Sequence, residues 1–159
     1  MASLLFEPIR AASRVTDEVI VAFSGGKDSV IALDMCTRWF RRVHVFFMYL
    51  VPGLSFQEAI LRYYERRYGI AVHRVPHFML SEFLAAGTFR MEDYWVPLVS
   101  ARDIYHHMRM QTGTWWIAGG ERIADSTVRR AMMKASGSLD DQRGRVYPVA
   151  HFRKKDVMG

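Results

Sequence analysis

The segment VIVAFSGGKDS, residues 19–29, decides the fold class of this chain. Its first half, residues 19–23, is a continuous apolar run, which predicts a strand buried on both faces. Two glycines, Gly25 and Gly26, follow, and residues 29–40 then carry apolar side chains near helical spacing. A buried strand, a glycine turn and a helix in this order predict the first unit of a parallel α/β sheet.

The same alternation continues along the rest of the chain. We predict further strands over residues 43–49, 70–75, 114–118 and 145–149, and helices over residues 55–68, 81–86, 100–112 and 125–134. Ser55 and Glu58 have the spacing of a capping box with Ser55 as N-cap, and a loop containing glycine and serine is predicted after residue 134. Together the elements predict a single-domain three-layer α/β sandwich over residues 1–159, with a mostly parallel five-stranded sheet.

The composition is that of a soluble globular domain and excludes several classes of protein. The single cysteine, Cys36, excludes a disulfide framework, a cysteine-rich zinc site and a cysteine-ligated iron–sulfur cluster. We expect Cys36 to be a small buried residue rather than a nucleophile. The sequence shows no signal peptide and no apolar run long enough to span a bilayer, so we expect a cytoplasmic protein without membrane contact. Its net charge of +6 favours anionic partners such as nucleotides, phosphates or nucleic acid.

The loop after the first strand combines groups that bind phosphate. Six consecutive residues form the predicted anion site: Ser24, Gly25, Gly26, Lys27, Asp28 and Ser29. The glycines let the backbone turn its N–H groups outward, at a helix N-terminus that carries a partial positive charge. Lys27 adds a full charge, and the serine hydroxyls can donate to phosphate oxygens. Asp28 either caps the helix or helps to hold a magnesium ion on the phosphates.

Two commoner phosphate-binding loops are excluded by the residues of this segment. A Walker loop requires Gly, four residues and then Gly-Lys-Ser or Gly-Lys-Thr. Here Asp28 follows Gly26 and Lys27, and Val21 occupies the position of the first glycine. The dinucleotide pattern G-x-G-x-x-G is also absent. The remaining alternative is a tight turn without a ligand, and the density of Gly, Lys, Asp and Ser argues against it.

The segment SGGKDS, residues 24–29, resembles the PP-loop of the ATP pyrophosphatase, or adenine nucleotide alpha-hydrolase-like, superfamily. The segment GERIADSTVR, residues 120–129, is similar to the G-x-R-x-x-E-S-x-x-R segment of its phosphoadenosine phosphosulfate reductase-like branch. The resemblance implies that four matching residues contribute to anion binding: Gly120, Arg122, Ser126 and Arg129. Arginine presents a fork suited to phosphate or sulfate. The alternative is a solvated helix start, capped by Ser126 or by Asp125, which replaces the Glu of the pattern.

The resemblance extends over about residues 19–157, through similar segments at residues 49–76 and 147–157. Val51 and Pro52 replace the Asp-Thr of the branch, and Phe152 occupies the position of its Trp. The cysteine-bearing tail that follows in the reductases is absent, so the C-terminal part of the family domain is expected to be missing. We therefore do not expect this chain, as given, to complete sulfonucleotide reduction.

The resemblance implies an adenine-nucleotide-binding protein, and we predict ATP-dependent adenylyl transfer with release of pyrophosphate and with magnesium. Lys27 and Asp28 are the implied catalytic residues, and Asp28 is also the implied magnesium ligand. Arg122 and Arg129 would hold a second anionic substrate, which is sulfate, phosphate or nucleic acid. Two alternatives stay open. One is sulfonucleotide binding or reduction by a longer natural chain with a C-terminal cysteine. The other is a non-catalytic nucleotide-binding subunit whose protein partner supplies the chemistry.

Overall fold

The apolar run at residues 19–23 forms a central strand of a six-stranded sheet, in which the strand order is β3-β2-β1-β4-β6-β5. The computed structural model describes residues 2–136 and 139–158. Of the loop predicted after residue 134, Gly137 and Ser138 lie outside the described residues, whereas Leu139 and Asp140 form a short strand. The strands are β1 Glu18–Ala22, β2 Arg42–Tyr49, β3 Val72–Pro76, β4 Ile117–Ala118, β5 Leu139–Asp140 and β6 Arg145–Val146. The helices are α1 Ala2–Leu5, α2 Glu7–Val15, α3 Lys27–Trp39, α4 Ser55–Tyr68, α5 Met79–Ala85, α6 Ala101–Thr112, α7 Thr127–Ser136 and α8 Lys154–Val157, with a 3-10 turn at Ile123–Asp125.

The sheet is parallel except at one edge. Val21 of β1 pairs with Val45 of β2 on one side and with Ala118 of β4 on the other, both in parallel register. The additional strand is β5, which pairs antiparallel to β6 through Leu139 and Val146. The predicted count of five strands was therefore one too low. A two-residue strand is too short to show the alternation by which strands are predicted.

Helices cover both faces of the sheet, which confirms the three-layer sandwich. Val19 and Val21 lie in a buried cluster with residues of α2, α3 and α4, including Leu33 and Leu61. Ile20, between them, packs in a second cluster with Ile104 and Met108 of α6. This alternation follows from the two-residue period of a strand. Because both faces are covered, the central strands carry an almost continuous apolar sequence.

Three local predictions were wrong. The strand predicted over residues 145–149 covers only Arg145–Val146. The other two were altered by side chains from other elements. Leu54 is the N-cap of α4, and Ser55 is its first helical residue and makes no capping bond. The Glu58 carboxylate instead lies 2.9 Å from the Arg74 guanidinium of β3. Strand β4 is shorter than predicted, because the Thr114 hydroxyl donates to the Glu18 carboxylate at 3.0 Å and Arg109 donates to the Trp115 carbonyl at 2.7 Å.

Two expectations from composition can be compared with the structure. Cys36 is fully buried in the core on α3, as expected, and burial raises the pKa of its thiol. Within the described ranges, no helix has the length and apolar character needed to cross a bilayer.

Candidate functional site

The loop between β1 and α3 is held in shape by its own serines. Gly25 has a φ of +78°, in the left-handed region that favours glycine. The Ser29 hydroxyl donates to the Gly26 carbonyl at 2.8 Å and accepts from the Ser24 N–H at 3.2 Å. Ser29 is only 5% exposed. The structure therefore places Ser29 inside the loop, where it fixes the turn, whereas Ser24 lies on the exposed side.

Lys27 is the first residue of α3 and its side chain is exposed. Its ammonium lies 3.1 Å from the Met158 sulfur and pairs with no carboxylate in the described part of the chain. Among the described residues, no carboxylate therefore neutralises the Lys27 charge at the N-terminus of α3. A cation combined with the free N–H groups of a helix start is a favourable anion site.

Gly120 brings the second motif into direct contact with this loop. A Cβ atom at Gly120 would lie 2.8 Å from the Ser29 amide nitrogen and 2.9 Å from the Asp28 carbonyl carbon. Both neighbours are backbone atoms, so they have little freedom to move aside. Glycine is required here because only a residue without a side chain permits this approach.

Ion pairs connect the two motifs. The Arg122 Nε atom lies 3.5 Å from the Asp28 carboxylate, and its Nη2 atom lies 2.8 Å from Asp125. The other Asp125 oxygen accepts from Arg129 Nη1 at 3.1 Å. Ser126 accepts from the Arg129 N–H at 3.1 Å and so caps α7. This is the capping role that was the alternative for Ser126, whereas Arg129 stays 47% exposed at its side chain.

A cavity of about 480 Å³ lies where the loop meets the carboxyl ends of β1, β2 and β4. This is the edge at which open α/β sheets bind ligands, and the volume suits a small molecule. The predicted residues in its lining are Ser24, Gly26, Lys27, Asp28, Ser29, Gly120 and Arg129. Its other end is mainly apolar, with Ala22, Phe46, Met48 and Tyr105. Gly25, Arg122 and Ser126 lie outside the lining, as does the turn at Pro52.

Buried polar atoms without a hydrogen-bond partner are concentrated around this cavity. Among the described side chains they are Asp28 Oδ1, Glu121 Oε2, Arg122 Nε, Arg145 Nε and, in β2, His44 Nε2. Asp28 and Glu121 line the cavity, and the two arginines pair with those same carboxylates. Native proteins rarely leave buried polar groups unpaired. The concentration therefore marks a place where a polar ligand would complete the hydrogen bonding.

Comparison with known proteins identifies the family. The profile of the Phosphoadenosine phosphosulfate reductase domain matches residues 18–159. The chain belongs to this family. Its membership supports binding of an adenine nucleotide, and the PP-loop resemblance drawn from residues 24–29 is confirmed. No curated protein matches the sequence.

Solved structures show the same fold at low sequence identity. The U34-tRNA thiolase NcsA from Methanococcus maripaludis, solved with its 4Fe-4S cluster, is 15% identical with a TM-score of 0.56. The alignment covers 97% of this chain but only 61% of the thiolase. The NH3-dependent NAD synthetase from Campylobacter jejuni subsp. jejuni NCTC 11168, in complex with the nitrate ion, is 13% identical with a TM-score of 0.63. That alignment covers 98% of this chain and 68% of the synthetase.

The PP-loop offers one carboxylate for a magnesium ion. Within the described residues, no three His, Cys, Asp or Glu side chains group closely enough to hold a metal on their own. Asp125 lines the cavity, but its two oxygens face Arg122 and Arg129. The Asp28 side chain is partly exposed, and its buried Oδ1 atom faces Arg122 Nε at 3.5 Å, so the Oδ2 atom is the one left for a metal. This fits the usual magnesium site in nucleotide enzymes, where one or two carboxylates are joined by phosphates and water.

Sequence reasoning missed the residues that form the far wall of the cavity. Phe46 and Met48 carried a usable signal, because they share the face of β2 that points to α6 and lie near its carboxyl end. Glu121 directly follows the glycine pair at the end of β4. Tyr105 carried no such signal, since its position depends on how α6 packs against the sheet.

Proposed function

We propose that this chain binds ATP in the cavity at the PP-loop and transfers its adenylyl group to an acceptor, releasing pyrophosphate. The observation that supports this most directly is the polarity of the cavity. A phosphate-binding loop with an unpaired lysine lies at one end, and an apolar wall lies at the other. A nucleoside triphosphate has the same two-ended character.

The apolar end suits a purine base. Phe46 is almost fully buried in the sheet, and Met48 and Tyr105 continue the wall beyond it. Aromatic and thioether side chains contact a flat ring favourably. The base would therefore lie at the carboxyl ends of β1 and β2, with its phosphates directed towards Lys27.

The phosphate end supplies positive charge where charge develops in the reaction. An acceptor oxygen attacks the α-phosphorus, the bond between that phosphorus and the bridging oxygen breaks, and pyrophosphate leaves with the electron pair. Lys27 and the N–H groups at the start of α3 would stabilise the growing charge on the leaving group. Bound magnesium would supply additional charge neutralisation on the phosphates, with Asp28 as its protein ligand.

Arg129 is the best placed of the two predicted arginines to meet a second anion. Its guanidinium lies at the cavity wall and is half-exposed, whereas Arg122 is enclosed between Asp28 and Asp125. We assign Arg122 to positioning of the PP-loop and Arg129 to contact with a bound anion.

The proposal does not include sulfonucleotide reduction by a thiol of this chain. The sequence contains one cysteine, Cys36, and it is fully buried in the core beneath α3. Burial raises its pKa, which disfavours the thiolate needed for attack. Binding of a sulfonucleotide without reduction is compatible with the same cavity, so it is measured beside ATP.

Calorimetric titration tests the binding step. We expect ATP with magnesium to bind, and Lys27→Ala to weaken binding by about 1.5–3 kcal/mol, the value of a charge-assisted contact. Arg41→Ala is the control. Arg41 is exposed and directly precedes β2, so it lies at the amino ends of the strands, away from the cavity at their carboxyl ends. Titration with phosphoadenosine phosphate shows which nucleotide is preferred.

Two results would contradict the proposal. If neither nucleotide binds at millimolar concentration, the cavity is not a nucleotide site. If ATP binds but no pyrophosphate forms with any tested phosphate, carboxylate or hydroxyl acceptor, the chain is a binding subunit rather than an adenylyltransferase.

A further inference from the structure

A second cavity of about 550 Å³ lies between α6 and the turn that joins β5 to β6. It is next to the cavity at the PP-loop, which we call the nucleotide cavity because we propose that ATP binds there. We refer to the second cavity as the α6 groove. It is lined by Arg102, Tyr105, His106 and Arg109 of α6, by Trp115, Glu121 and Met132, and by Gln142, Arg143, Arg145 and Tyr147. Four arginines and a single carboxylate thus face one small volume.

The positive charge of the α6 groove is incompletely neutralised. Arg109 donates to the carbonyls of Trp115 at 2.7 Å and Arg143 at 2.6 Å, and it pairs with no carboxylate among the described residues. Burial, together with the nearby charge of Arg145, lowers the pKa of Arg109. Arg102, on the same face of α6, is exposed and also lacks an ion pair in the described ranges. Cations held this close together favour a bound anion.

Arg145 forms the floor of the groove and keeps one donor unused. It is 9% exposed, its Nη2 atom lies 2.9 Å from Glu121, and its Nε atom has no hydrogen-bond partner. The guanidinium lies over the rings of Tyr105 and Tyr147, at 4.8 and 5.5 Å from their centroids. A buried, rigidly held cation with a free N–H is a strong anchor for an anionic group.

The walls of the groove suit a flat ring. Trp115 is 49% exposed and stacks against Arg109, whose guanidinium carbon lies 4.1 Å from the ring centroid. Tyr105 and Tyr147 face the same volume. Exposed aromatic side chains next to arginine are typical partners for aromatic ligands.

Two residues are shared with the nucleotide cavity. Tyr105 and Glu121 line both volumes. A molecule in the α6 groove would therefore lie next to the nucleotide cavity and would contact the same two side chains as its occupant.

We propose that the α6 groove is a second binding site, which takes a small aromatic molecule carrying a phosphate or carboxylate group. Binding of this molecule is independent of the proposed adenylyl transfer. Its role as the acceptor rests on that proposed function. In that role an anionic oxygen of the ligand forms the new bond to the α-phosphorus while the bond to pyrophosphate breaks. No proton has to be removed from such an oxygen, so the step needs no general base.

The test uses 1-naphthyl phosphate as the probe, titrated into the whole chain by calorimetry. We expect a Kd below about 1 mM, with similar affinity when the PP-loop site is saturated with ATP. Neutral 1-naphthol and inorganic phosphate alone are each expected to bind more weakly. Comparison with 1-naphthoate decides between phosphate and carboxylate as the preferred anionic group.

Matched variants separate the two cavities. Arg102→Ala is expected to weaken binding of the probe about tenfold, the loss of one charge-assisted contact, and to leave ATP affinity unchanged. Arg143→Ala provides a second variant on the opposite wall. Arg66→Ala, at an exposed position of α4, is the control. Circular dichroism melting confirms that each variant is folded.

Failure of this inference is distinguishable from failure of the proposed function. Absence of probe binding at millimolar concentration overturns the inference, whatever ATP does. Competition between the probe and ATP, or loss of probe binding in Lys27→Ala alone, also overturns it, because the probe would then occupy the nucleotide cavity. Probe binding that survives Lys27→Ala and is weakened by Arg102→Ala supports the inference even if ATP does not bind.

Discussion

The two halves of the sheet are built differently. Strands β1, β2 and β3 pair over five residues each, and their apolar side chains lie in the two main buried clusters. Strands β4, β5 and β6 pair over two residues each. There the chain is held by contacts between distant residues, such as Arg145 with Glu121 and Gly120 with Ser29. Apolar burial stabilises both halves, since Ile117, Ala118 and Val146 of the second half are fully buried. The second half differs in that charge pairing and close backbone approach add to its short strand pairing. The nucleotide cavity lies where the two halves meet, and the α6 groove lies over the second half.

Removal of Glu121 should have the largest effect on stability. Glu121→Ala leaves the buried Arg145 charge unpaired, and breaking such a pair costs about 3–5 kcal/mol. Because Glu121 itself is partly exposed, we expect the lower end of that range. Urea unfolding measures the change in the free energy of unfolding. Ile20→Val in β1, in the first half of the sheet, is the comparison and is expected to lower that free energy by about 0.5–1.5 kcal/mol.

A double variant sharpens this prediction. Adding Arg145→Met to Glu121→Ala removes the unpaired charge, and the double variant should recover part of the lost stability. If Glu121→Ala costs no more than Ile20→Val, charge pairing adds little to the apolar burial of the second half, and the contrast between the halves is wrong.

Gly120→Ala should have the next largest effect and should change binding as well as stability. The added methyl group meets the backbone of Asp28 and Ser29, and forced overpacking costs about 1–3 kcal/mol. Because the start of α3 must shift, we expect weaker ATP binding in the calorimetric titration.

Gly113→Ala is the control for the Gly120 variant. Gly113 has a φ of +68° and open space around it, so its cost comes from backbone strain at the end of α6, away from the PP-loop. Unchanged ATP affinity in Gly120→Ala would show that the two motifs are not packed as described.

The smallest effect concerns the stability of the first half of the sheet at acid pH. The hydrogen bond and charge of Arg74 lower the pKa of both Glu58 and Glu65 in the folded chain. Their contribution to stability is therefore complete above the unfolded pKa, about 4.3, and is lost as pH falls through the lower folded values. Arg74→Met should make the loss of stability between neutral and acid pH shallower, as measured by urea unfolding at a series of pH values.

Arg38→Met is the comparison for the Arg74 variant, because Arg38 forms a more exposed pair with Asp34. Equal pH dependence in both variants would mean that Arg74 has no special role in joining α4 to β3.

The first half of the sheet, strands β1 to β3, could be predicted from the sequence because local patterns determine its elements. The apolar run before Ser24 and the helix predicted over residues 55–68 each correspond to an element in the structure. The family could also be recognised from residues 24–29 and 120–129, since the residues of each segment are close in sequence. Their contact through Gly120 could not be predicted, because it depends on the order of β1 and β4 in the sheet.

The second half and the far wall of the site could not be predicted for the same reason. Strand β5 has no detectable period. Glu58 does not form the expected capping box, because its carboxylate pairs with Arg74 on another element. Tyr105 and Arg145 became site residues only through the packing of α6 and β6. When the role of a residue depends on a partner distant in the chain, the local sequence pattern does not reveal that role.

The contact of Gly120 with the start of α3 has a thermodynamic consequence. The segment that contains Arg129 and Glu121 cannot move independently of the PP-loop, because backbone touches backbone and Arg122 pairs with Asp28. Any rearrangement that a nucleotide causes at Lys27 is therefore transmitted to the wall shared with the α6 groove. Linkage is reciprocal, so a probe affinity that is similar with and without ATP requires an ATP affinity that is equally similar with and without the probe.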